Sequence, residues 1–76
     1  MKSIKFVEPK IIYEVVGKNT DGDWETLKSP VKTLEEAVEY AHKILEGTDY
    51  TFNNVDINMI IDDDLTGTYD PDGNIR

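Results

Sequence analysis

Thr33 to Gly47 reads TLEEAVEYAHKILEG, and its reading decides the fold. Thr33 with Glu36 forms the T-x-x-E capping box, in which hydroxyl and carboxylate each satisfy a backbone N–H that a helix start leaves unpaired. Leu34, Ala37, Val38, Ala41, Ile44 and Leu45 recur at the three- and four-residue spacing that puts them on one stripe. Glu35, Glu39, Lys43 and Glu46 fall on the other side, with Glu39 four residues ahead of Lys43 in the favourable order for a weak surface pair. His42 lies at the border of the stripe, where a boundary residue is expected rather than a catalytic base. Gly47 supplies the stop. One helix with one apolar stripe needs one apolar surface to lie on, and the flanking sequence provides it.

Downstream, Val55-Asp56-Ile57-Asn58-Met59-Ile60-Ile61 alternates, with Val55, Ile57, Met59 and Ile61 on one side and Asp56 and Asn58 on the other, as a half-buried strand does. Before it the chain loops through Asp49, Asn53 and Asn54. After it come Asp62-Asp63-Asp64, a returning strand from Leu65 to Tyr69, and the turn Asp70-Pro71-Asp72-Gly73. There proline suits the first central position and glycine a left-handed one, a three-residue hairpin loop with a bulge. Only Asn74, Ile75 and Arg76 follow, an arm short enough to fray.

Upstream, Lys10 to Gly17 is rich in β-branched residues. Asn19 to Asp23, with Asp21-Gly22 as the turn signal, joins it to Trp24-Glu25-Thr26-Leu27 in a hairpin. Pro30 is expected to stop this second strand, and Ile4 to Val7 is a candidate edge strand set off by Pro9. The expected architecture is therefore α+β. Residues 1–76 form a single domain, a small antiparallel sheet in the order β-β-α-β with room for extra terminal strands, packed by one amphipathic helix.

Such a sheet has a second face. Tyr13, Trp24 and Tyr69 are candidates for an aromatic patch there, the alternative being that they complete the core. Helix and sheet periodicities together predict one contact cluster of Val38, Ala41, Leu45, Ile57, Met59 and Ile61.

Length and charge bound what such a domain can do. The 76 residues carry 16 acids against 8 bases, for a net charge of −8. A domain of this size buries only about 60% of the surface its unfolded chain exposes, so it holds one core and no second. Without cysteine it has no disulfide framework, thiolate chemistry or Cys-ligated zinc. The N-terminal residues hold no apolar run of signal-peptide length and nothing approaches a membrane span, so the chain reads as cytoplasmic with no membrane partner. One histidine and the lack of G-x-S-x-G, H-E-x-x-H or P-loop motifs point away from an enzyme and from any cofactor. A carboxylate pair working as acid and base would need an apolar cleft that so short a chain can barely build.

The charge is also uneven. Residues 1–38 hold seven acids and six bases, and residues 39–76 hold nine acids and two bases. From Ile44 to Ile75 there is no Lys or Arg at all. That stretch repels nucleic-acid phosphates, so no direct nucleic-acid binding is expected. It favours encounter with a basic protein surface, and the alternative is that its carboxylates only keep a small protein soluble. The residues expected to meet such a partner are Asp62, Asp63, Asp64, Asp70 and Asp72, with Tyr13 and Trp24 on the sheet. The two acidic groups would sit at opposite ends of a short ribbon, roughly 15 Å apart at about 3.3 Å per strand residue.

A second class of reading is a weak calcium site. Asp62, Asp64, Thr66, Gly67 and Asp70 occupy positions one, three, five, six and nine of an EF-hand-like loop. The match breaks at position twelve, where Gly73 replaces the bidentate glutamate, so no metal site is assigned. A third reading is an accessory domain with no ligand of its own. The pattern from Tyr13 through Leu45 looks like many small sheet-plus-helix domains. In size, acidity and lack of catalytic residues the chain looks like the small proteins with which bacteriophages block host enzymes, including anti-CRISPR inhibitors and DNA mimics. That resemblance implies an inhibitor acting by occlusion, its carboxylates standing where phosphates would stand against a nucleic-acid-handling enzyme.

Overall fold

A computed structural model describes residues 9–47 and 54–76. The candidate strand Ile4 to Val7 and the loop around Asp49 and Asn53 lie outside the described residues. The elements are β1 (Ile11–Lys18), β2 (Trp24–Val31), α1 (Leu34–Glu46), β3 (Asn54–Ile61) and β4 (Asp64–Tyr69). They form a small α+β fold, an antiparallel sheet in the order β2-β1-β3-β4 with the helix across one face. Among the described residues no helix is long and apolar enough to cross a membrane.

Register follows alternation. Tyr13 pairs with Met59, Val15 with Ile57 and Gly17 with Val55, so the odd-numbered residues of β1 and β3 share the helix side. Ile57 also pairs with Tyr69 on β4, and Tyr13 with Val31 on β2. The core is Val15, Val31, Ala37, Ala41, Val55 and Ile57, with Tyr13, Leu27, Leu34, Val38, Tyr40, Ile44 and Tyr69 packed against it. Tyr13 and Tyr69 meet edge to face at 6.4 Å between ring centroids.

This cluster differs from the one the periodicities predict. Ala41, Ile57 and Val38 belong to it, but Leu45 is 42% exposed and Tyr40 takes its place at the interface. Met59 and Ile61 are also outside it. Helix α1 packs toward the Val55 and Ile57 end of β3, with Ala37 and Ala41 as its buried residues. Periodicity names the buried face of a strand but not how far along it a helix reaches.

Thr33 caps helix α1 as expected, in extended backbone with its hydroxyl accepting from the Glu36 N–H at 3.1 Å. Glu35 and Glu36 in the first turn and Lys43 in the last complement the helix dipole. Gly47 ends the helix in extended backbone, its N–H donating to the Lys43 carbonyl, and its left-handed freedom is not used.

Two further expectations are corrected at the chain's edges. Strand β2 does not stop at Pro30 but runs to Val31, which is buried. Proline is tolerated because β2 is the outermost of the described strands on its side and its pairing with β1 shifts register between Tyr13–Val31 and Val15–Lys28, so Pro30 falls at an irregularity of the ladder. Nor does the C-terminal arm fray. Ile75 bridges to Tyr69, the Arg76 N–H donates to the Thr68 carbonyl, and the Arg76 guanidinium reaches across to Asp56 Oδ1 from Nε at 3.0 Å and from Nη2.

One turn is built twice. In Asn19-Thr20-Asp21-Gly22-Asp23, Asn19 Oδ1 accepts from the N–H groups of Asp21 and Asp23, the Gly22 N–H donates to the Asn19 carbonyl, and Gly22 has φ +87°. In Asp70-Pro71-Asp72-Gly73-Asn74, Asp70 Oδ1 accepts from Asp72 and Asn74, the Gly73 N–H donates to Asp70, and Gly73 has φ +88°. A short side-chain acceptor at the first position and Asp-Gly at the third and fourth encode both. The β3–β4 hairpin instead uses a two-residue connection, Asp62 and Asp63, both at positive φ as a type I′ turn requires.

Candidate functional site

The acids of the C-terminal half have separate duties. Asp62 is engaged on both sides of its peptide: its Oδ1 accepts from the Lys10 N–H at 3.0 Å and its own N–H donates to the Lys10 carbonyl at 2.9 Å. Asp63 and Asp64 are exposed beside it. Asp70 lies just past the other end of β4, roughly 20 Å from Asp64 at about 3.3 Å per residue, beyond a Debye length of about 8 Å. Its carboxylate is the turn's internal acceptor, and the hydrogen bond from the Asn74 N–H, helped by that from Asp72, holds its pKa below the ordinary carboxylate value. Asp62 and Asp70 thus act first on their own backbone.

Thr66 and Gly67, the middle of the calcium-like spacing, lie in extended strand β4. Asp62 and Asp70 are therefore held apart rather than wrapped round one point, and among the described residues no group of three His, Asp or Glu side chains could hold a metal ion. Tyr13 and Trp24 are also divided. Tyr13 packs against the core on the helix side, whereas Trp24 is half exposed on the opposite face beside Val16, Asp56, Asn58 and Thr68.

Asp72 joins a different constellation. Its Oδ1 meets His42 Nε2 at 2.8 Å, tying the C-terminal turn to α1. Next to this contact the turn and the helix enclose an open groove of about 330 Å³ lined by Leu34, Glu35, Val38, Glu39, Asp72 and Gly73. The spacing explains it. Leu34 and Val38 are four residues apart on the edge of the apolar stripe, and Glu35 and Glu39 repeat that interval one position round the helix. Gly73 closes the wall so tightly that a Cβ there would lie 3.1 Å from Val38 Cγ2. The groove surface is mostly apolar, and acidic residues of two elements, Glu35 and Glu39 on α1 and Asp72 in the turn, are among those that line it.

The sequence carried half of this site. Leu34, Val38, Glu35 and Glu39 are legible as neighbouring helix rows, and Asp72 stands among the expected binding residues. What no local pattern reveals is that a turn 30 positions from His42 folds back onto the helix. The only sequence signal is Gly73, which the turn needs for its φ and the helix needs for its lack of a side chain. Comparisons of the chain with protein-family models, with curated proteins and with solved structures found no match.

Proposed function

We propose that this chain is a non-enzymatic protein-binding module that takes a basic, partly apolar segment of a partner protein in the groove between α1 and the C-terminal turn. The observation that carries the reading is the combination of Leu34 and Val38 on the floor with Glu35, Glu39 and Asp72 at the rim. An aliphatic side chain of the partner fills the groove, and Lys or Arg on either side of it meets the three carboxylates, a helix-face arrangement that suits one anchor and flanking charges. The acidic group at Asp62 to Asp64 and the net charge of −8 act at longer range, raising the rate of encounter with a basic surface. Asp70 serves by shaping the turn that presents Asp72.

In its finer form the partner is a nucleic-acid-handling enzyme and the carboxylates occupy positions its Lys and Arg residues keep for phosphates, the action of a phage-type inhibitor. The test is a titration of a fluorescent peptide of alternating Leu and Lys against the full chain, with oligolysine and a Leu/Glu peptide as controls. The Leu/Lys peptide should bind tightest, with an affinity that falls as salt rises. Equal affinity for oligolysine would remove the apolar floor from the account, and equal affinity for the Leu/Glu peptide would remove the charge. For the finer form, nucleic acid added to an inhibited enzyme should relieve inhibition competitively.

A further inference from the structure

The face of the sheet away from the helix differs in charge from the rest of the molecule. Register places Ile12, Glu14, Val16 and Lys18 of β1 there, opposite Ile60, Asn58, Asp56 and Asn54 of β3. Thr26 and Trp24 join from β2 and Thr68 and Leu65 from β4. Its charges balance, Glu14 and Asp56 against Lys18 and Arg76, while the chain as a whole carries −8.

Several of its polar groups also satisfy one another laterally. The Ser29 hydroxyl donates to Glu14 Oε1 at 3.0 Å, the Thr68 hydroxyl to Asn58 Oδ1 at 3.0 Å, and Arg76 to Asp56. A surface that packs over these pairs therefore leaves each of their members a partner. Two large apolar groups stand exposed beside them. Trp24 is 50% exposed, and Leu65, paired with Ile60, is 64% exposed. Val16, paired with Thr26 and Asp56, is only 9% exposed, in a cleft it shares with Trp24.

We infer that this face is the contact surface of a homodimer, two sheets packing back to back about a two-fold axis with both helices outward. A second copy is the occupant the charges select. Two chains of −8 repel on every acidic surface, and a balanced face is where they can approach. An isologous contact sets each Trp24 and Leu65 against the partner's equivalent surface. Four strands about 4.8 Å apart, three of eight residues and one of six, at about 3.3 Å per residue give a footprint of roughly 480 Å². That is below the 800 Å² or so per partner of a standard interface, so the dimer is weak. It would carry two acidic grooves on opposite outer faces, and it does not rest on what those grooves bind.

Sedimentation equilibrium of the full chain from about 10 µM to 1 mM, at low and at high sodium chloride, tests this. Self-association should tighten several-fold as salt rises, because screening removes the repulsion between two acidic chains while the neutral contact keeps its apolar area. Capture of a basic peptide in the groove shows the opposite salt dependence, so the two readings fail separately. Leu65→Lys should weaken dimerisation at least tenfold although it reduces the net negative charge, and its exposed position leaves the fold intact by circular dichroism. Glu35→Gln with Glu39→Gln, on the far side, should leave the dimer as tight or tighter. A monomer throughout the range at both salts would overturn the inference and give the face to another partner. So would association that weakens with salt, or that Leu65→Lys leaves unchanged.

Discussion

Replacing Ile57 by Ala probes the point where helix and sheet depend on each other. Ile57 is fully buried, held between Val15 on β1 and Tyr69 on β4 within the cluster that includes Ala37 and Ala41. Three carbons are lost, worth about 2.4 kcal/mol at about 0.8 kcal/mol per buried methylene. The neighbours cannot refill the space, because the two alanines have nothing to extend and ladders on both sides pin the β3 backbone. A residual cavity of several tens of Å³ adds about 1–2 kcal/mol at about 24 cal/mol per Å³, for a total near 4 kcal/mol. Against the roughly 4–11 kcal/mol available to a domain of this length, that is a large fraction. The melting temperature should fall by about 15 °C or more, and a urea titration followed at 222 nm should show a lower midpoint with an unchanged slope. Ile61→Ala, beyond the helix's reach, should cost under half as much. A loss below about 1 kcal/mol for Ile57→Ala, or equal losses for the pair, would refute this placement of the helix.

The two copies of the Asp-Gly turn make a second comparison. Gly22→Ala should cost about 1–2 kcal/mol from left-handed backbone alone, since nothing lies within 4 Å of its Cβ position, whereas Gly73→Ala should cost more because its methyl also meets Val38. Thermal melts of the two variants check the order. In the β3–β4 turn, Asp63→Gly should stabilise by a few tenths to about 1 kcal/mol, because Asp63 holds a φ of +69° that glycine adopts freely. Acid titration should report Asp70. Its pKa is depressed in the folded chain, so its contribution is present above the unfolded value and is lost as pH falls through the folded one. Asp70→Asn should therefore flatten the dependence of stability on pH below about 4, the ordinary carboxylate range, while keeping an oxygen for the turn to bond.

The elements that were legible in the sequence are those whose information is local. Thr33 and the helix rows, the alternation of Val55 to Ile61, and both Asp-Gly turns each carry their conformation in a few adjacent residues. Pro30 misleads because the rule against proline in strands depends on whether the strand is an edge, a property of the finished sheet. Tyr40 and Leu45 exchange places because the stripe is wider than the contact, and only the docked geometry decides which flank is covered. The acids were legible as charge but not as duty: Asp62 and Asp70 look like Asp63 and Asp72 until the N–H groups of Lys10, Asp72 and Asn74 claim them. The groove needed a contact between α1 and a turn well beyond β3, which periodicity does not encode.

The central claim is that location, rather than total charge, makes the groove the binding site. Two triple variants of equal charge change decide it: Glu35→Gln, Glu39→Gln and Asp72→Asn in the groove, and Asp62→Asn, Asp63→Asn and Asp64→Asn at the far end of β4. Titrated with the Leu/Lys peptide by fluorescence anisotropy at low and at moderate salt, the groove variant should lose at least tenfold in affinity and most of its salt dependence. The hairpin variant should lose only a few-fold, through slower association. Equal losses in the two variants, each still folded, would contradict the claim and leave the carboxylates as a diffuse acidic surface.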